Sequence, residues 1–114
     1  MDSRLLWGAV EMLILEVISH GSTYGYEIAQ TVTSRSEGYF DLKEGSLYPA
    51  LHRLEQQKLV IATWQEVDGR RRKYYKLSAA GQRMLRERKQ EWQAFSKGMQ
   101  GVLGLQFGGK SGLE

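Results

Sequence analysis

A small, mainly helical α+β domain is what this sequence predicts, and three observations predict it. In one amphipathic segment Leu47, Leu51 and Leu54 keep the i, i+4, i+7 spacing of a single buried helix stripe. Directly after it, Val60 to Val67 is rich in β-branched residues, Asp68-Gly69 is a type I′ turn signal, and Arg72 to Leu77 returns with two tyrosines, which together read as a hairpin. At the hairpin tip Arg70, Arg71, Arg72 and Lys73 follow one another with no acidic residue among them. Adjacent cations repel one another and add nothing to a core, so the run is either solvated surface or a phosphate-binding wing. Its position after a helix with a small, polar outer face favours the wing, and helix plus basic hairpin is the signature of a winged helix-turn-helix.

In chain order, residues from about Leu5 to Ser19 read as the first helix. Leu6, Val10, Leu13, Ile14, Val17 and Ile18 form one apolar face, and Leu5, Trp7, Met12 and Leu15 spread apolar surface around the rest. A helix apolar on nearly all sides must be covered on nearly all sides, which in a domain this small calls for a second subunit, a ligand or both. Gly21 to Gly25 breaks that helix and starts the next, with Ser22 or Thr23 as caps. The second helix runs to about Ser34 with Ile28, Ala29 and Val32 inward, and Ser34 to Asp41 is a polar connector to the third helix. Tyr24 and Tyr26 either reach phosphates through their hydroxyls or are partly buried at the helix start; the sequence leaves both open.

In the third helix, Gly45, Ser46, Pro49, His52 and Arg53 fall opposite the leucine stripe, with Tyr48 on the flank. Such a face lies close to a polyanion and can donate to base edges or phosphates in a major groove. Pro49 is harmless if the helix starts near Ser46 and bends it slightly if the start is near Lys43. A two-residue turn pairs Gln65 with Arg72, Thr63 with Tyr74 and Ile61 with Lys76. Val60, Ala62 and Trp64 then meet Leu77, Tyr75 and the stem of Lys73 on the face that packs on the helices.

Ser78 is the expected N-cap of the last helix, from Ala79 to about Met99. Gly81, Leu85, Arg88, Trp92, Phe95, Met99 and Val102 alternate steps of four and three, the spacing of a seam that packs against another helix, with Arg88 its one polar interruption. The seam packs in part on the first helix, but two strongly apolar helices at opposite ends of a small domain supply more surface than one chain can hide. A homodimer follows. Leu6, Val10, Leu85, Arg88, Trp92, Phe95 and Met99 are its expected contacts. Near a two-fold axis Trp92 and Phe95 either line a pocket for a small aromatic effector or serve only as dimer packing. From Gly98 to Glu114 six glycines mix with Val, Leu and Phe without periodicity, so this tail is expected to fray. The organisation expected is a winged helix-turn-helix domain over residues 1–78, a dimerisation helix over 79–103 and a flexible tail over 104–114.

The total charge of +3 is modest for a nucleic-acid binder, so placement matters more: eight basic residues lie between Lys43 and Lys76 against four acidic ones. The absence of cysteine excludes disulfides and thiolate metal sites and fits a cytoplasmic protein. The apolar run near the start is interrupted by Glu11 and Glu16, so neither a signal peptide nor a membrane span is expected. His52 has no second histidine nearby for a metal, no Lys-Ser/Thr pair follows the early glycines, and no third group completes a triad, so neither an enzyme nor a cofactor is expected.

The run from Gly45 to Glu55 (GSLYPALHRLE), Leu59-Val60, Trp64, the stretch Gly69 to Tyr75 (GRRRKYY), Leu77 and Gly81 resembles the PadR family of bacterial transcriptional regulators, and Tyr24 to Ile28 matches its second helix. The resemblance spans about residues 5 to 95 and departs at Lys58, where the family usually has glycine. It favours the earlier start of the Pro49 helix, points to a homodimer and implies the short, single-domain type.

The expectation is therefore a dimeric regulator, a repressor, on a pseudo-palindromic double-stranded DNA operator. Ser46, Tyr48, Pro49 and His52 would lie near bases or the adjacent backbone, Lys43 and Arg53 on phosphates. Arg70, Arg71, Arg72 and Lys73 would follow the flanking backbone or minor groove. The rival reading is a winged-helix module whose basic wing meets an acidic protein.

Overall fold

The computed structural model describes residues 3–105, with side chains from Gly8 onward. Four helices and three strands follow in the order α1 (Ser3–Ser19), β1 (Thr23–Tyr24), α2 (Gly25–Arg35), α3 (Glu44–Gln56), β2 (Val60–Val67), β3 (Arg70–Leu77) and α4 (Ala79–Leu103). The strands form one antiparallel sheet in the order β1-β3-β2. The mainly helical α+β class with a long C-terminal helix is the one the sequence predicts.

The hairpin keeps the predicted register, with Gln65 opposite Arg72, Thr63 opposite Tyr74 and Ile61 opposite Lys76. Asp68 and Gly69 have φ of 52° and 78°, the two positive values that a type I′ turn requires. Only the base of the hairpin rests on the helices. Val60 and Tyr75 are buried there, whereas Trp64 is 56% exposed, because β2 and β3 outrun the helical layer. The expectation that Trp64 packs on the helices is corrected accordingly.

β1 was not expected. Thr23 and Tyr24 pair with Tyr75 and Tyr74 of β3, and this extended pairing displaces the predicted caps. Tyr24 occupies the N-cap of α2 without a side-chain cap bond. The Thr23 hydroxyl is buried and donates to the Glu27 carboxylate instead.

α1 runs through the centre and packs against α2, α3, β3 and α4. Its buried stripe is Ile14, Leu15 and Ile18, while Leu13 and Val17 are only half-buried, so the inward face is rotated from the one predicted. From Gly8 to Ile18 no residue is exposed, but only Ile14, Leu15 and Ile18 are fully buried by the chain itself. The side chains of Leu5, Leu6 and Trp7 lie outside the described residues.

Both ends of the helix-turn-helix pair are closed by left-handed residues. At the end of α3, Lys58 has φ of 62°; its N–H donates to the Glu55 carbonyl at 2.9 Å and the Leu59 N–H to the Leu54 carbonyl at 3.0 Å. These two bonds define a Schellman cap with lysine in the glycine position. Glu37 and Gly38 repeat the motif at the end of α2, onto Ser34 and Thr33.

α4 starts at Ser78, whose Oγ accepts from the Gly81 N–H at 3.0 Å and donates to the Lys58 carbonyl at 2.7 Å. One hydroxyl thus caps α4 and ties it to the end of α3. Gly81 and Leu85 are buried, and Lys89 reaches Glu16 of α1 at 2.9 Å. Beyond Trp92 the helix leaves the body, which stretches the chain to 53 Å against 26 Å across. Helical structure continues through Gly98 and Gly101 to Leu103, past the predicted end near Met99; residues 106–114 of the tail lie outside the described residues.

Candidate nucleic-acid interface

α3 begins at Glu44, with Lys43 as N-cap, so Pro49 falls inside the helix. A proline there brings no N–H to the Gly45 carbonyl, which is tolerated because Gly45 and Pro49 both lie on the exposed side. The leucine stripe is buried as predicted, together with Ala50, and this turns Tyr48, Pro49 and His52 to solvent, with Ser46 half-buried.

The two cations assigned to this helix are placed differently from one another. Lys43 is exposed and pairs with Asp41 at 3.0 Å, a contact that costs little to exchange. Arg53 turns inward, and its Nε donates to Glu11 of α1 at 3.1 Å. In this position it links α3 to α1.

The wing cations are held by aromatic and acidic neighbours. Arg71 lies over the Trp64 ring at 4.8 Å and Arg72 over the Tyr24 ring at 4.1 Å. Cation–π contacts of this kind pre-order a guanidinium while leaving its donors available. A hydrogen bond with Tyr74 holds Arg72 still further into its charged form. Lys73 donates to Glu55 of α3 at 3.0 Å, and that bond raises its pKa. Burial pushes the Tyr75 hydroxyl up as well, so it stays neutral. Arg70, at the turn, is exposed.

These residues enclose an open cleft of about 850 Å³ between the helix pair and the wing, with Tyr24, Tyr26, Tyr48 and His52 on one wall and Trp64, Arg71, Arg72 and Lys73 on the other. Ser46, Pro49, Lys43, Arg53 and Arg70 do not line it. A Cβ on Gly25 would lie 2.7 Å from the Tyr48 hydroxyl, so glycine at the start of α2 is what lets that ring lie across it.

Residues 14–87 match the Transcriptional regulator PadR-like family. The chain belongs to this family. It is similar to a protein of Lysinibacillus sphaericus, 36% identical over 79% of this chain and 84% of the relative. A transcriptional regulator of Mycobacterium tuberculosis is 33% identical over 69% of this chain and 71% of its own length. The crystal structure of a PadR family transcription regulator from Clostridium difficile superposes with a TM-score of 0.73 at 38% identity, covering 82% of this chain and 97% of that one. This PadR-like chain is not an enzyme, since its family consists of transcriptional regulators.

Sequence reasoning missed the members of this site that hold others in place. Tyr24 as a platform for Arg72, Trp64 for Arg71 and Glu55 for Lys73 all depend on which strand lies beside which. The hairpin register, which brings Arg71 diagonal to Trp64, was the available signal for one of them. The Tyr39–Phe40 pair in the connector, with Tyr39 83% exposed, was also missed. No described helix is long and apolar enough to cross a membrane.

On α4, Leu85 is buried and Arg88 half-buried beside Gly8, where a Cβ would come 3.0 Å from its guanidinium. Val10 is half-buried against the same core. Trp92 and Phe95 meet edge to face at 5.4 Å. Phe95 is 45% and Val102 87% exposed, and Met99 and Leu103 are exposed beside them.

Proposed function

We propose that this PadR-like regulator binds a pseudo-palindromic operator as a homodimer and represses transcription by occupying it. The observation that carries the reading is the cleft in which the outward residues of α3 face the cations of the wing. α3 enters the major groove, with Ser46, Tyr48, Pro49 and His52 near bases or the adjoining backbone and Lys43 on phosphate. Arg70, Arg71, Arg72 and the held Lys73 follow the flanking backbone. Repression needs only occupancy of promoter DNA by the wing and α3.

The homodimer is supported by the apolar residues that α4 carries beyond the body, Phe95, Met99, Val102 and Leu103, in a seam with helix-pairing spacing. Covering them with the same helix of a second copy makes the interface isologous, and the two half-sites should then lie about one DNA turn apart. The Trp92–Phe95 pair within that seam is the place for a flat aromatic effector.

Fluorescence anisotropy on labelled duplex from the chain's own upstream region, against a scrambled duplex at two salt concentrations, tests the reading. A preference of ~10³ or more for the native duplex is expected. With roughly 6 to 10 phosphates neutralised per dimer, log affinity should fall against log salt with a slope of about −5 to −9. A slope near zero, or preference for an acidic polypeptide over any duplex, returns the chain to the protein-interaction reading.

A further inference from the structure

We propose that Glu55 is a positioning residue for DNA recognition, which holds Lys73 so that the wing keeps a fixed distance and angle to α3 and which makes no contact with nucleic acid itself. The inference rests on the operator-binding reading above. Glu55 is the one carboxylate among the residues that line the cleft, where three cations and four tyrosines surround it. A carboxylate on a surface that receives phosphates opposes binding by Coulomb repulsion. Its presence there calls for a compensating role.

The geometry supplies one. Glu55 sits in the last turn of α3 and Lys73 in the middle of β3, and their 3.0 Å hydrogen bond is a direct side-chain link between recognition helix and wing. The two side chains are only 37% and 31% exposed, so the pair is less screened than a surface ion pair. Tyr75 and Trp64 stand 5.7 Å and 5.9 Å from the same ammonium and limit where it can go. On the opposite face of β3, Arg72 lies over Tyr24 of the neighbouring strand. Successive residues of a strand point to opposite faces, so Arg72 and Lys73 clamp the wing from both sides. Arg70 and Arg71 are then carried at a set offset from Tyr48 and His52. Specific binding needs both sets to meet DNA at once, whereas non-specific binding needs only the charge.

Two substitutions separate holding from charge. Glu55→Gln and Glu55→Ala remove the same negative charge, but only glutamine keeps an oxygen that accepts from the Lys73 ammonium. Anisotropy titrations of the full chain on native-upstream and scrambled duplexes are expected to show both variants binding the scrambled duplex tighter by a similar factor, about 2- to 5-fold. Preference for the native duplex should fall about 10-fold or more in Glu55→Ala and no more than about 3-fold in Glu55→Gln. Lys73→Met breaks the same link from the other side and should also lower the preference, which keeps the test decisive where Glu55→Ala does not fold. An unchanged preference in Glu55→Ala, or an equal fall in both Glu55 variants, overturns the positioning role. Absence of any preference in the unsubstituted chain overturns the operator reading and this role with it.

Discussion

A Cβ on Gly81 would lie 2.1 Å from the carbonyl oxygen of Leu59, so the first turn of α4 rests directly on the backbone that joins α3 to β2. Ser78 reinforces the contact, since its N–H donates to the Leu59 carbonyl at 3.0 Å while its hydroxyl donates to the adjacent Lys58 carbonyl at 2.7 Å. The long helix is thereby fixed to the end of α3 through two successive carbonyls, those of Lys58 and Leu59.

Gly81→Ala should therefore destabilise the fold by about 3 kcal/mol, at the upper end of overpacking costs, because the obstructing atom is backbone and cannot swing aside. Urea unfolding monitored by circular dichroism measures it. Unchanged stability would mean that α4 shifts freely on Leu59.

Lys58→Gly should act in the other direction. At φ of 62° lysine carries the left-handed penalty that glycine avoids, in a cap whose two hydrogen bonds stay intact. The gain, reduced by glycine's greater freedom in the unfolded chain, is about 0.5–1 kcal/mol. It should appear as a higher urea midpoint with an unaltered slope.

Lys58 also shows how far the sequence could be read. Leucine spacing in α3, the Asp68-Gly69 turn and the Ser78 cap are local signals, and helix, register and N-cap stand where those signals place them. The departures come from tertiary pairing. Thr23 is taken from its expected cap by β3, and Trp64 is carried past the helices by strand length. Arg53, roughly a turn beyond Pro49 on the same helix, turns to Glu11 because α1 passes beneath it, a partner 42 residues away that no local pattern specifies. The same holds for Glu55, whose carboxylate reads from sequence as ordinary helix surface until β3 lies beside it.

Arg70→Ala with Arg71→Ala should weaken binding to native and scrambled duplexes by similar factors. The salt slope shrinks by about 0.9 for every phosphate that is no longer neutralised, so removing four such cations per dimer should flatten it by about 3 to 4. Anisotropy across a salt series reads both quantities. A fall confined to the native duplex would move these arginines from phosphate to base recognition.

Glu16 links α1 to α4 and carries a pH dependence whose sign is set by its surroundings. Burial alone would push its carboxyl up, but hydrogen bonds from Lys89 and His20 outweigh this and lower it below 4.5. A carboxyl lowered in the folded state adds stability that is complete above the unfolded value and is lost as pH falls through the lowered one. Partly exposed pairs contribute about 1 kcal/mol or less. Glu16→Gln should accordingly be less stable than the unsubstituted chain by that amount at pH 7. The difference should shrink as pH falls below 4.5, in paired urea titrations at pH 7 and at acid pH.

Trp92→Ala addresses the other end of α4. Trp92 is half-buried within one chain and stacks edge to face on Phe95, at the point where the helix leaves the body. It lines neither the wing nor α3, so truncation should leave both intact. Interface aromatics cost about 2 kcal/mol or more on truncation, which is a weakening of the dimer by roughly 30-fold or more. Analytical ultracentrifugation across a dilution series measures it, and anisotropy on scrambled duplex provides the control for an intact DNA face. Unchanged self-association would remove Trp92 from the interface. If the response to flat aromatic compounds were also unchanged, the pair would have neither proposed role.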